Sequence, residues 1–257
     1  VIDGMNWSGM VTVFKKEGMR FVKVSVQTVL TPILTALLYL LVFGQVLRDK
    51  PEVYTGVPYL AFLVPGLVMM SLIQNAFANS ASSLIQSKIS GNLIFLLLAP
   101  LSSLELYLAF VTAAIVRGVM VGIGVYLAAS FFIPIPLAHP EVGLAFAVLG
   151  GGVLGGLGLI AGIVADKFEH MAAFQNFLIL PLSFLSGVFY SIHTLPPFWS
   201  ELSHANPFFY LIDGFRFGLL GASDMPPAIS LAVVTLAFLM TAGVAIYLLA
   251  IGYKIRD

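Results

Sequence analysis

The sequence predicts an all-α membrane protein with six transmembrane helices, an N-terminal amphipathic interfacial helix, a short cytoplasmic helix and short outer helices. Three observations predict it. Of the 257 residues, 60% are apolar and only 9% are charged, whereas soluble domains carry about 25% charged residues. The mean hydropathy is +1.03. A soluble domain of this length buries only about three quarters of its unfolded surface, and this chain lacks the charges to solvate the rest. Third, apolar stretches of about 20 residues, enough to cross about 30 Å of hydrocarbon, recur along the whole chain. Buried helices of a large soluble core give similar runs, but not with this composition. Disorder needs low hydrophobicity and is excluded.

Twelve Lys and Arg balance twelve Asp and Glu, so no basic excess points to nucleic acid. No cysteine is present, which removes disulfides, thiolate zinc sites and iron–sulfur clusters. The chain opens on Val1, which points to an earlier natural start. Residues 1–23 carry charged clusters and no long apolar core, so they are not expected to be a cleaved signal peptide.

Taken in order, residues 6–23 read as an amphipathic helix on the inner membrane surface. Trp7, Met10, Val11, Phe14, Phe21 and Val22 fall on one face with Gly18; Lys16, Arg20 and Lys23 fall opposite, facing lipid phosphates or a protein partner. A plain interfacial anchor and a partner-binding helix both fit this pattern. The spans are expected at 24–46, 59–84, 105–133, 142–165, 171–192 and 229–252. Lys15, Lys16, Arg20, Lys23, Lys88, Lys167, Lys254 and Arg256 fall on one side, against Arg48, Lys50 and Arg216 on the other. The richer side is cytoplasmic, which places both termini inside.

Between spans two and three, residues 85–104 begin polar, carry the apolar run Leu93–Ala99 and stop at Pro100. Seven apolar residues cannot span a bilayer. A short half-apolar helix on the cytoplasmic face needs a cover, either the other spans or a soluble subunit. The outer loop 47–58 is short and polar, and 134–141, with Pro134, Pro136 and Pro140, is a tight outer turn. Asp166, Lys167, Glu169 and His170 make a charged turn of the kind a helical hairpin needs. Residues 194–226 are too interrupted for a span and too apolar for a free loop. They read as one or two short helices dipping into the outer leaflet, with Trp199 and Tyr210 suited to the interface.

The run GGGVLGGLGLIAG satisfies G-x-G-x-x-G at Gly150, Gly152 and Gly155, but it sits inside an apolar span without a preceding strand. Close helix packing through the pairs Gly151–Gly155, Gly152–Gly156 and Gly158–Gly162 is the better account, and Gly118–Gly122 is a further pair. There is no Walker A loop, since no lysine follows a glycine, and no G-x-S-x-G or H-E-x-x-H. His139, His170, His193 and His204 lie far apart and offer no local metal site, and no catalytic or cofactor-binding residue is assigned. Arg117 is the one charge deep in an apolar segment. It marks either a functional site or a residue that snorkels or bonds to carbonyls, with the second reading preferred. Spans two and five carry Met69, Met70, Asn75, Phe77, Phe174, Phe177 and Phe184, adaptable side chains suited to a pathway for an amphipathic substrate. Interhelical packing explains the amides about as well.

Four blocks carry a resemblance: YLAFLVPGLVMMS at 59–71, LIFLLLAPLSSLE at 93–105, SGVFYSIHTLPPFW at 186–199 and HANPFFYLIDGFRFGLLG at 204–221. In this order they resemble the permease subunits of ABC type-2 exporters, the YadH-like and NodJ-like bacterial inner-membrane permeases, over essentially the whole chain. The resemblance implies one permease domain over 1–257, a homodimer, and a separate cytoplasmic ABC ATPase that binds ATP and Mg; no cofactor binds this chain. It implies a connecting helix at 6–23 and a coupling helix within 85–104, with Lys88, Gly91, Asn92, Leu96, Leu97 and Pro100 as contact residues. It implies outer re-entrant helices in 194–226, with Trp199, Asn206, Pro207 and Arg216 at the outer gate. The expected acidic residue after Gly91 is replaced by Asn92, which leaves Lys88 or Glu105 for that contact.

The expected function is export of a drug, lipid, glycolipid or polysaccharide by alternating access, with no bond chemistry in this chain. A gradient-driven secondary transporter is the alternative; it wants paired intramembrane acids, and no mid-span Asp or Glu is present. An intramembrane enzyme built on Ser203, His204 and Asp213 is weaker still, because an interfacial polar cluster accounts for them.

Overall fold

The computed structural model describes residues 5–46 and 52–255; Arg48, Lys50 and Arg256 of the charge count lie outside the described residues. Among the described residues all regular structure is helical, apart from one isolated bridge between Tyr54 and Val57. The helices are α1 (Trp7–Lys23), α2 (Ser25–Val46), α3 (Tyr59–Ile89), α4 (Leu93–Leu98), α5 (Ser103–Ser130), α6 (Pro140–Val164), α7 (Phe168–Phe174), α8 (Leu180–Phe184), α9 (Pro197–His204), α10 (Pro207–Leu220) and α11 (Pro227–Ile251). Five of them, α2, α3, α5, α6 and α11, are long and apolar enough to cross a membrane, and the chain is an all-α membrane protein.

The expected span at 171–192 is not one long helix. Helices α7 and α8 join through a π-helical turn, Gln175–Ile179, and the chain turns away after Phe184. Pro181 explains part of this, because it lacks the N–H that would continue the ladder and crowds the turn before it. Gly187, at φ 73°, makes the exit turn that a side chain would oppose.

Helix α6 is the centre of the bundle, and its glycines sort by neighbour. Gly151 and Gly155 lie against Ile115 and Ala114 of α5, Gly152 and Gly156 against Phe238 and Thr241 of α11, and Gly158 and Gly162 against Phe77 and Leu84 of α3. A Cβ at Gly158 would overlap the Phe77 carbonyl oxygen. Each pair of small residues is thus one face that lets one helix approach closely, where dispersion contacts are densest. The G-x-G-x-x-G run is interior to a helix and packs rather than binds.

Two short helices, α9 and α10, are present in 194–226. Helix α10 is buried against α6, α3 and α11, and Gly218 touches the Gly143 backbone so closely that no side chain fits. Tyr210 is accordingly buried, its hydroxyl donating to the His204 carbonyl at 3.0 Å.

Helix α1 is also packed differently from its sequence pattern. It follows the first half of α5: Asn6 meets Glu105, Met10 and Phe14 share a groove with Leu108 and Thr112, and Phe21 reaches Arg117. Its inward stripe is Val13, Glu17 and Phe21, whereas Trp7 and Val22 face outward. Arg20 does not stand opposite the core; it turns towards α3.

Candidate functional site

The joint between α3 and α5 is built from local signals. Helix α3 runs 31 residues, about 46 Å at 1.5 Å per residue, well beyond about 30 Å of hydrocarbon. Gly91, at φ 72°, turns the chain out of it. The short α4 follows, and Pro100 precedes a capping box in which the Ser102 hydroxyl accepts from the Glu105 N–H and Glu105 accepts from the Ser102 N–H. Asn6 ties α1 to this joint, its amide donating to the Pro100 carbonyl at 3.1 Å.

Helix α4 buries Leu93, half-buries Leu96 and Leu97 against the apolar cluster that holds Leu93 and Leu106, and turns Ile94, Phe95 and Leu98 outward at 58, 70 and 75% exposure. Ile89 extends this apolar row. Leu96 and Leu97, the coupling residues implied by the resemblance, are thus less exposed than Ile94, Phe95 and Leu98. Asn92 is exposed, its amide donating to Ser90 Oγ at 3.1 Å. Lys88 is spent internally: its ammonium donates to the Ile163 carbonyl and, at 3.0 Å, to the Ala165 carbonyl. Lys254 joins it there, bonding Val164 O at 3.2 Å and Asp166 Oδ2 at 2.8 Å. Two ammonium groups thus meet the negative end of α6. The Lys254 hydrogen bond holds the Asp166 carboxyl below the usual carboxylate range. Glu105 is likewise committed, to Ser102 and to the Asn6 N–H.

The structure divides the expected pathway residues. Met70, Asn75 and Phe184 line one groove of about 260 Å³ between α2, α3 and α8, together with Thr35, Tyr39 and Gln74. Met69 and Phe77 lie in the core, against Gly150 and Gly158 of α6. Phe174 is half-buried against the core, and Phe177 points outward at 83% exposure.

Below the groove lies a polar cluster that sequence reasoning only partly found. Arg117 Nη1 and Nη2 donate to Asn79 Oδ1 and Asn75 Oδ1 at 3.3 and 3.5 Å, and its guanidinium lies 5.7 Å from the Phe21 ring. Arg20 donates to Asn79 O and Oδ1 at 2.8 and 3.1 Å and to Ser82 Oγ at 3.0 Å. Glu17, fully buried, takes Arg20 Nε and Lys16 Nζ, each at 3.3 Å, and the Ser83 hydroxyl at 2.6 Å. In the sequence Arg117 alone was singled out; Glu17, four residues from both Val13 and Phe21 on one helical stripe, is the signal that was missed.

At the opposite end Arg216 is wholly buried rather than a surface charge. Its guanidinium stacks 3.9 Å over Phe62, Nη2 donates to the Gly187 carbonyl at 2.6 Å, and Nη1 lies 3.8 Å from Asp213 Oδ1. Asp213 also accepts from the Asp224 and Met225 N–H groups at 2.8 and 3.0 Å. Asp224 accepts from the hydroxyls of Tyr54 and Ser191 and from the Ile192 N–H, all at 2.8 Å. Burial pushes the Tyr54 phenol upward, so it stays a donor. Asn206 caps α10 and donates to the Leu182 carbonyl at 2.7 Å, and Pro207 opens the helix. Trp199 is 45% exposed beside Phe198. Among the described residues no group of three His, Asp or Glu side chains makes a metal site.

Comparison with known proteins gives these arrangements a context. The family model described as ABC-2 type transporter matches residues 9–220. The chain is 39% identical to the inner membrane transport permease YadH of Escherichia coli over 244 residues, 95% of this chain and 93% of that one. It is 24% identical to nodulation protein J of Rhizobium meliloti over 226 residues, 86% of this chain and 83% of that one.

Proposed function

The chain belongs to the ABC-2 type transporter family and is the membrane permease subunit of an ABC transporter, not itself the ATPase; from that premise we propose that it exports an amphipathic or lipid-like substrate. A separate cytoplasmic ATPase, holding ATP and Mg, supplies the energy. The permease works as a homodimer in a bacterial inner membrane, where the name of the Escherichia coli relative places that protein. The six crossings are α2, α3, α5, α6, the α7–α8 run and α11. The α7–α8 run covers 17 residues, about 26 Å and so a short crossing. Both termini are cytoplasmic by the balance of basic residues.

The observation that carries this reading is the outward row Ile94, Phe95 and Leu98 on α4, set between α3 and α5. This is the face for the ATPase, and α1 is the connecting helix beside it. The lever behind it is stiff: α3 meets α6 at Gly158 and α5 at Gly118 with no room for slippage. A push on α4 is therefore transmitted along both long helices to the groove at Met70, Asn75 and Phe184. ATP binding and hydrolysis then shift access from inner to outer, through the differential affinity of the ATPase for the two states.

The test is Phe95→Asp combined with Leu98→Asp. Burying each such side chain is worth about 1.5–3 kcal/mol, so the pair should cost on the order of 10²–10⁴-fold in ATPase affinity. The expected result is a membrane-inserted chain that no longer co-purifies with its ATPase. Unchanged substrate-stimulated ATP hydrolysis in that variant would remove the coupling assignment.

A further inference from the structure

We propose that Arg20 and Arg117, with Asn75 and Asn79 around them, form a binding site for an oxyanion group of the phosphate type. The positive charge is under-compensated. Both guanidinium groups draw on one amide oxygen, Asn79 Oδ1, at 3.1 and 3.3 Å. The single carboxylate of the cluster, Glu17, is already taken by Arg20, Lys16 and Ser83. Among the described residues no carboxylate lies within ion-pair distance of Arg117, which holds two amide oxygens at 3.3 and 3.5 Å.

The unmet groups all have one sign. Arg117 Nε and Asn79 Nδ2 in the cluster, and Gln74 Nε2 in the adjoining groove, are buried without a hydrogen-bond partner, and each is a donor. A ligand that satisfies them must be rich in acceptors, and one facing two arginines must be anionic. A guanidinium fork matches a tetrahedral oxyanion. Asn75 belongs both to this cluster and to the groove with Met70 and Phe184, so the anion would be the head of a molecule whose apolar part lies in that groove. The inference deepens the export reading and rests on it for the identity of the cargo.

Binding is measured on the full purified chain in neutral detergent, without any ATPase, so that a failed ATPase pairing leaves this test untouched. Native mass spectrometry with phosphatidylglycerol and phosphatidylcholine should show preferential retention of phosphatidylglycerol. Arg117→Gln and Arg20→Gln should each reduce that preference roughly tenfold, the worth of a charge-assisted bond; Lys15→Gln, on an exposed position of α1, should leave it unchanged. Arg117→Lys keeps the charge without the fork and should fall between. Stabilisation of the native chain by sodium phosphate, lost in Arg117→Gln, would assign the site to a free phosphate group; retention of the lipid alone would assign it to a lipid headgroup. Equal phosphatidylglycerol preference in the native chain, Arg117→Gln and Arg20→Gln, with no response to phosphate, would overturn the proposal.

Discussion

The two ends of the bundle treat a buried arginine in opposite ways. At the end that carries α10, Arg216 has a carboxylate, a carbonyl and an aromatic face, and its partner Asp213 holds the loop at Asp224 and Met225. At the end that carries α1 and α4, Arg117 has two amide oxygens at 3.3 and 3.5 Å and the Phe21 ring at 5.7 Å, but no carboxylate. The same end turns Ile94, Phe95 and Leu98 outward with nothing over them. The first end gives its arginine a counter-charge, although Arg216 Nε and Nη1 are buried without a hydrogen bond; the second leaves its arginine without a carboxylate and turns apolar side chains outward. The difference lies in the counter-charge: an arginine held by a carboxylate reads as a structural lock, and a ligand and a partner are proposed for the end that lacks one.

Breaking the lock should have the largest effect. Arg216→Ala leaves Asp213 buried with its two backbone hydrogen bonds but no counter-charge, which costs about 3–5 kcal/mol. The expected outcome is a chain that loses its folded peak in size-exclusion chromatography, partly restored when Asp213→Asn is added. A single variant as stable as the native chain would dissolve the contrast between the two ends. The centre of the bundle comes next: Gly158→Ala forces α6 off the Phe77 carbonyl and should cost about 1–3 kcal/mol in thermal unfolding.

Arg117→Gln sharpens the comparison, because it removes a charge without stranding a carboxylate. Its unfolding free energy should stay within about 1 kcal/mol of that of the native chain, while its anion preference falls. A collapse as severe as that of Arg216→Ala would make Arg117 a structural residue instead. The smallest effect belongs to Asp166→Asn. Lys254 depresses the folded pKa of Asp166, so its contribution is complete above the unfolded value and fades as pH falls through the lower folded value. The variant should match the native chain in acid and differ slightly at neutral pH.

Much of the architecture was legible because its causes are local. Length and hydropathy locate α2, α3, α5, α6 and α11, and the glycine pairs of α6 state how closely its neighbours approach. Helix α4 was legible from Pro100 and the apolar run before it. The break at the α7–α8 run was not, since the π turn depends on how Pro181 is accommodated among its neighbours. Nor was the facing of α3, whose residues are apolar nearly all round; Met69 and Phe77 pack inward while Met70 and Asn75 reach the groove, one position apart in the first case. Arg20 read as a surface charge because its partners, Asn79 and Ser82, are some sixty residues away. The burial of Arg216 was not legible for the same reason, with Gly187 and Phe62 supplied by other segments.

The most direct test is ATP hydrolysis by the reconstituted permease and its ATPase in lipid nanodiscs, native chain against Phe95→Asp with Leu98→Asp, across lipids, glycolipids and hydrophobic drugs. The account predicts stimulation by one substrate class in the native pair and none in the variant, with both chains equally inserted. Equal stimulation in both would contradict the assignment of α4 as the face through which the ATPase drives this protein.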